Sequence, residues 1–452
     1  MGTHENIKKT LNFVYDSWVV KETSNELETV LVDTPQYTLG NLLGDTDFRD
    51  EFGYFDFYER FFYEQLGYPR HLFTINKYKV SEVYDNPETK FYYAIKSHWS
   101  LHDIFSKTDL PSSINKCLSE CDNIKFLYIR EHEPENLQDI TSVVNYFKNN
   151  NISDTKLIIV SNNPRIKQYR KSLNSNFEFF RTNLLQITSS SIWNELGSSY
   201  LKQKSDKFFS CFNKTPKEHR VATLIELEDR NILKNTNWSM LFSFSYEKKD
   251  FWKHFHYTQF DCLLNDVNSK KDIIEKFVTM DCKKSDYEEN IKLDYFGFAR
   301  PDIHIEGAGG ASGGMMVPET DETHKDSYVS IITESCFQYP NSDVIHITEK
   351  STRPFFYYQF PIILATKGHI KFMEEEFGLD FYRDIIDHSY NDIENDKERF
   401  QATLKEIERI NDNQDLFKTF FKSNKERFEK NKQIVKNFPN NDQDIKYFLN
   451  NL

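Results

Sequence analysis

No Cys-x-x-Cys pair occurs in this 452-residue chain, whose six cysteines, Cys117, Cys121, Cys211, Cys262, Cys282 and Cys336, are scattered. Such spacing offers no metal ribbon or disulfide framework, and the chain reads as a reduced protein. Also missing is any apolar run of about 18 residues, the length that crosses a bilayer, and the mean hydropathy is −0.67. Nothing at the start reads as a charged stretch followed by an apolar one, so the expected location is the cytoplasm, with no membrane span. Positive charge is short as well: 57 Lys and Arg stand against 70 Asp and Glu, for a net charge of −13 without an acidic tail. That balance disfavours extended nucleic acid as a default partner. It leaves room for a single phosphate group, which needs only two or three well-placed cations.

Aromatic residues are plentiful, with 40 Phe and 25 Tyr. Large rings fill cores, and they also stack on sugars and bases; composition alone does not choose. The length suits two domains with an appended element. Residues 1–90 show weak periodicity, with one helix expected over 50–66. Three apolar runs then follow, KFYYAI (90–95), IKFLYIR (124–130) and KLIIVS (156–161), each leading into polar residues and a helix-compatible stretch such as 139–150 or 161–173. A further run, FEFFRTN (177–183), closes a first α/β domain ending near residue 204. Alternation of this kind predicts βα units and a parallel sheet.

The pattern restarts with KFFSCFN (207–213), a polar turn and a helix over 220–233. Strands are expected again at 327–335, 343–350 and 359–366, with a helix from Ser351. Residues 391–452 are charged and helical, with Phe400, Leu404, Ile407, Leu416, Phe417, Phe420, Phe421 and Phe428 marking two or three closing helices. The expected domains are therefore 1–204, 205–390 and 391–452. One segment, EGAGGASGGMMVP (306–318), is too rich in glycine for regular structure and reads as a lid or linker. It is not a phosphate-cradling loop, because no Lys-Ser or Lys-Thr follows the glycines.

Two spots have the chemistry to hold a phosphate. In FFSCFNKTPKEHR (208–220) a strand delivers Asn213 into a loop, and a helix begins near His219 and Arg220. An anion there would meet backbone N–H groups and a guanidinium together. In IHITEKSTRPF (345–355), Thr348 is placed to cap a helix bearing Glu349, Lys350 and Arg353, with both cations three apart on one face. Either spot alone also fits an ordinary helix start. A third stretch, REHEPEN (130–136), brings Glu131, His132 and Glu133 to the carboxyl end of a strand, where α/β folds hold ligands; a solvated charged loop is the plainer account. In SHWSLHD (97–103), His98, His102 and Asp103 lack the further partner that a metal site needs, and no metal is expected.

The order Asn213, Arg220, Glu334-Ser335, Thr348-Glu349-Lys350 resembles the donor-binding domain of α1,3-fucosyltransferases and related viral and phage glycosyltransferase-like proteins. The resemblance covers about residues 207–390. It departs at Cys336, at the inserted FQYPNSD, and at Arg353-Pro354, which is closer to the viral group. It implies a B-type glycosyltransferase fold, two Rossmann-like domains facing a cleft, and transfer from a nucleotide-diphosphate sugar to an acceptor hydroxyl with inversion. No further cofactor is implied. Arg220, Lys350 and Arg353 would then stabilise the diphosphate, Glu334 and Glu349 would touch sugar or ribose hydroxyls, and Glu131, His132 or Glu133 would take the acceptor's proton. The acceptor is a glycan or, in a viral protein, a hydroxylated nucleobase. A non-catalytic glycan- or nucleotide-binding protein is the alternative of another class. Donor base, sugar and oligomeric state are not encoded in these motifs.

Overall fold

The computed structural model describes residues 9–15, 73–96, 105, 110–129, 135–181, 207–213, 217–240, 263–264, 273, 276, 327–337 and 344–437. The expected helix over 50–66 and the glycine-rich 306–318 lie outside the described residues, as do His98, His102 and Asp103. The chain divides into two compact units, Met1–Leu184 with Asp442–Leu452, and Leu185–Asn441. Both are α/β, and all strand pairs in both are parallel.

Among the described residues, the first unit holds six strands: β1 (Lys9–Tyr15), β2 (Phe73–Lys79), β3 (Phe91–Lys96), β4 (Ile124–Ile129), β5 (Leu157–Ser161) and β6 (Glu178–Arg181). Their order is β2-β1-β3-β4-β5-β6. Helices α1 (Val80–Asp85), α2 (Ser112–Glu120), α3 (Leu137–Asn149) and α4 (Ile166–Ser172) form the crossovers. A parallel sheet covered on both faces makes its inner strands continuously apolar instead of alternating. Accordingly Leu157, Ile158, Ile159 and Val160 of β5 are all buried, which is why the runs at 90–95, 124–130 and 156–161 stood out. The pair β1 and β2 is the part that sequence patterning missed. Its residues are more polar, and Asn76 Nδ2 donates to Asn12 Oδ1 across the strands at 3.0 Å. Helix α3 starts two residues earlier than expected, where Asn136 accepts from Asp139 N at 2.9 Å while the Asp139 carboxylate accepts from Asn136 N at 3.0 Å. That reciprocal cap fixes the helix start locally. At the C-terminal end of α2, the buried Lys156 donates to the carbonyls of Leu118 and Cys121, both at 2.7 Å.

The second unit holds β7 (Phe209–Asn213), β8 (Thr236–Met240), β9 (Val329–Thr333) and β10 (Phe360–Leu364), in the order β10-β9-β7-β8. Its helices are α5 (Glu218–Asp229), α6 (Glu349–Phe356), α7 (His369–Phe377), α8 (Asp396–Asp412), α9 (Gln414–Ser423) and α10 (Lys425–Asn437). From β7 the chain steps to β8 on one side, and from β9 to β10 on the other. Right-handed crossovers therefore put α5 and α6 on opposite faces. The outer helices follow them: α8 packs on α5, with Arg230 bonded to Glu408 at 2.9 Å, and α10 packs on α6. The closing aromatics are core filling here, since Phe360 of β10 is surrounded by the rings of Tyr382, Phe417, Phe420 and Phe428.

One expected strand is not formed. Residues 344–348 are buried but make no sheet pairing. Val344 O and Thr348 N are satisfied singly instead, with Thr366 Oγ1 donating to Val344 O and Thr348 N donating to the Glu334 carboxylate. An apolar run of that length is equally suited to a buried connection, which periodicity does not separate from a strand.

Candidate functional site

Where strand order reverses, the crossovers diverge to opposite faces and leave a crevice at the carboxyl ends of the strands. In the second unit that switch point falls between β7 and β9. The last residues of those two strands meet there, with Thr333 Oγ1 donating to Asn213 Oδ1. Asn213 Nδ2 also lies 3.5 Å from Cys211 Sγ, a thiol that burial pushes up to about 12. Helices α5, α6 and α7 all begin along this edge.

Glu334, the residue after β9, joins the three helices. It is fully buried. Its carbonyl accepts from His219 Nε2 in the first turn of α5 at 2.7 Å, and the next carbonyl, that of Ser335, accepts from Lys217 Nζ at 2.8 Å. Its carboxylate turns toward α6. One oxygen accepts from Thr348 N at 3.3 Å, from Thr348 Oγ1 at 2.9 Å and from Ser351 Oγ. The other accepts from Thr348 Oγ1 at 2.8 Å and from Ser335 N at 3.1 Å. Through Ser351 the array continues to His369, the first residue of α7, whose Nε2 lies 2.8 Å from Ser351 Oγ.

Burial alone pushes the Glu334 carboxyl up, but the Lys350 charge, the neighbouring His369 and His346 and the Ser351 bond pull it down to about 2. It is therefore a carboxylate at any ordinary pH. His219 is held well below the usual histidine range by burial and then by the charge of Arg220, and its ring stacks on Phe337 with centroids 5.3 Å apart. Burial likewise lowers His369 to about 4, against the pull of Glu334. The edge thus carries the buried Glu334 carboxylate, the neutral imidazoles of His219 and His369, and the cations of Lys217, Arg220, Lys350 and Arg353.

The three helix starts differ in what occupies them. At α6, Thr348 caps Lys350 N at 3.2 Å and is itself bound to Glu334, so a carboxylate of the chain already sits at that N-terminus. At α7, Asn391 Oδ1 accepts from Ile370 N at 2.9 Å. At α5, Lys217 makes no side-chain cap. Glu218 points elsewhere, with Oε1 accepting from Leu263 N at 3.3 Å.

Of the residues singled out in the sequence, Asn213, His219, Arg220, Glu334, Thr348, Lys350 and Arg353 all belong to elements that meet or begin at this edge. Arg220 is buried in α5, Arg353 is half-buried in α6, and Glu349 is described only as the first residue of α6. Glu131, His132 and Glu133 lie outside the described residues. The role expected of Glu334, a contact to sugar hydroxyls, does not follow from its geometry, because both oxygens are taken by the chain's own donors. Four contributors went unnoticed. Lys217, Thr333 and Ser351 stand in or beside the quoted stretches, while His369 follows a glycine with no local signal at all. Among the described residues, no group of three or more His, Cys, Asp and Glu side chains could hold a metal ion, and no helix is long and apolar enough to cross a membrane. In comparisons with known proteins, no family model, curated protein or solved structure matches the chain.

Proposed function

We propose that the chain is a glycosyltransferase of the two-Rossmann B type, whose second unit binds a nucleotide-diphosphate sugar at the β7/β9 switch point. The observation that carries this reading is the start of α5. It begins at the carboxyl edge with no cap from the side chain of Lys217, and Lys217 and Arg220 lie in or beside its first turn. A helix N-terminus presents N–H groups and a partial positive charge, which together favour a phosphate. The α6 start is already bound to Glu334, so the diphosphate grip belongs chiefly to the 213–220 element, and Lys350 and Arg353 serve as flanking cations. Leaving-group charge developing on the diphosphate is met by these fixed cations and helix ends, as inverting transfer without a metal requires. A carboxylate or imidazole of the 131–133 stretch is the proposed base for the acceptor hydroxyl.

Thermal unfolding in the presence of GDP-mannose and UDP-glucose tests the reading. A donor at about a hundred times its Kd stabilises the native state by about 2.7 kcal/mol. Lys217→Ala together with Lys350→Ala should weaken that donor at least tenfold without lowering the unliganded melting temperature by more than a few degrees. If no nucleotide or nucleotide-sugar shifts the transition, the reading fails. Slow release of nucleoside diphosphate from the bound donor, without acceptor, separates a transferase from a binding protein.

A further inference from the structure

The mechanism proposed above uses the cations of the carboxyl edge but leaves Ser351 and His369 without a part, although both are fully buried. Their hydrogen bonding is determined by proton counting. Ser351 has one hydroxyl proton, and it goes to Glu334. At its other contact, 2.8 Å from His369 Nε2, the serine oxygen therefore accepts, so the imidazole carries its proton on Nε2. The remaining ring nitrogen, Nδ1, is buried without a hydrogen-bond partner among the described residues. A second proton there would have nothing to bind, which agrees with burial lowering His369 to about 4. The array is thus directional and converges on the carboxylate: His369 Nε2–H donates to Ser351 Oγ, Ser351 O–H donates to Glu334, and the Thr348 hydroxyl also donates to Glu334 while its oxygen accepts from Lys350 N at 3.2 Å and Lys350 Nζ at 3.5 Å.

We infer that His369 and Ser351 are positioning residues for the donor site: the Nε2–H of His369 fixes the Ser351 hydroxyl toward Glu334, and the carboxylate so held fixes Thr348 and Lys350 at the start of α6. The inference rests on the donor reading given above and adds to it the residues that set the geometry of one flanking cation. A serine hydroxyl left alone rotates among three staggered directions. With a donor fixed behind it, only the direction toward the carboxylate uses both groups. Facing the array are Lys350 from α6, His346 from the 344–348 connection, His219 and Arg220 from α5, and Lys217 just before it, all of which act on Glu334 or on the imidazole bonded to its carbonyl.

The experiment has two arms on the full chain. Nitrogen-15 NMR of the histidines, with His369 assigned by its loss in His369→Gln, should show a neutral Nε2–H tautomer from pH 8 down to about 5. Ser351→Ala should turn it into a mixture of tautomers. In the second arm, calorimetry with UDP-glucose and GDP-mannose should find binding at least tenfold weaker in His369→Leu and Ser351→Ala. His369→Gln, which keeps an N–H donor near the ε position, should stay within threefold of the wild type. A purely structural role predicts lowered melting temperatures with unchanged affinity and no rescue by Gln. Equal donor affinity in wild type and Ser351→Ala, or an Nδ1–H tautomer in the wild type, overturns the inference while leaving the donor reading standing. Failure of the wild type to bind either probe removes the donor reading and the inference with it. Should His369→Leu not fold, the smaller Ser351→Ala change decides.

Discussion

Glu334 shows how a single side chain changes meaning between sequence and structure. As part of Thr333-Glu334-Ser335 it stands at a strand end, a position associated with ligand contacts, and a free carboxylate there would suit sugar hydroxyls. In the folded protein its two oxygens accept from Thr348, Ser351 and Ser335. A neutral amide has only one acceptor oxygen, so Glu334→Gln would turn its NH2 group toward the backbone N–H of Ser335 or of Thr348, neither of which can accept it. The cost of leaving such charge-assisted bonds unmade is about 3 kcal/mol. Urea unfolding should show a loss of that size with an unchanged slope, and a variant as stable as the wild type would contradict the assigned network. Thr348 was legible from sequence because capping is a local act between a hydroxyl and an amide two residues on. Its second bond, to Glu334, joins residues fourteen apart and was not.

At the scale of elements, the carboxyl edge depends on helices that were read from sequence only as closing helices. Arg399 of α8 is fully buried and donates to Ala365 O at 3.0 Å, Ile393 O at 2.9 Å, Glu394 O at 3.2 Å and Phe337 O at 2.8 Å, with an ion pair to Asp396. Its guanidinium lies 4.7 Å from the centroid of Phe337, whose ring also stacks on His219. One side chain therefore ties α8 to the ends of β9 and β10 and, through Phe337, to α5. Arg399→Ala should lose about 4 kcal/mol, because it leaves several buried carbonyls unpaired. Arg399→Lys should recover only a minor part, since a single ammonium cannot span the same carbonyls. Both follow from denaturant midpoints, and equal stability of the Lys variant and wild type would refute the planar tie. A milder case is Gly378, which ends α7 at φ +69° with nothing within 4 Å of where a Cβ would stand. Gly378→Ala should thus cost about 1 kcal/mol, purely from the left-handed backbone. A larger loss would mean that space, not conformation, is limiting.

For the whole molecule, buried imidazoles set the response to acid. His369 and His388 are both lowered to about 4, mainly by burial. An unfolded chain would bind their protons near pH 6.5, whereas the native state binds them only near 4. The unfolded state therefore holds more protons between these values, and stability falls as pH drops from 6.5 to 4. Each histidine contributes up to about 3 kcal/mol to that fall. Glu334, depressed to about 2, adds a loss of the same sign only below about pH 4.5. Melting temperatures across pH 7.5 to 4 should therefore decline most steeply below pH 6.5, and His388→Gln should flatten the slope. A flat wild-type profile would show that these imidazoles are not buried neutral groups.

Strands β3, β4, β5, β7, β9 and β10 were legible because a strand buried on both faces must be apolar throughout, and that is a property of a few consecutive residues. The βα alternation and the cap of α6 are equally local, as is the α3 cap at Asn136, although the expected start of that helix lies two residues later. The pairing order was not local. Only the hydrogen-bonded order β10-β9-β7-β8 creates a switch point between β7 and β9, sets Asn213 against Thr333, and brings His219, Thr348, Ser351 and His369 around Glu334. Residues 344–348 illustrate the same division, since their apolar character ensured burial, but whether a sheet edge was free to receive them was decided elsewhere in the chain. The sequence by itself determined which segments are buried and where several helices begin. Tertiary structure decided which of those helix starts are closed by distant side chains, because capping by Glu334 and Asn391 depends on partners that only the folded sheet brings within reach.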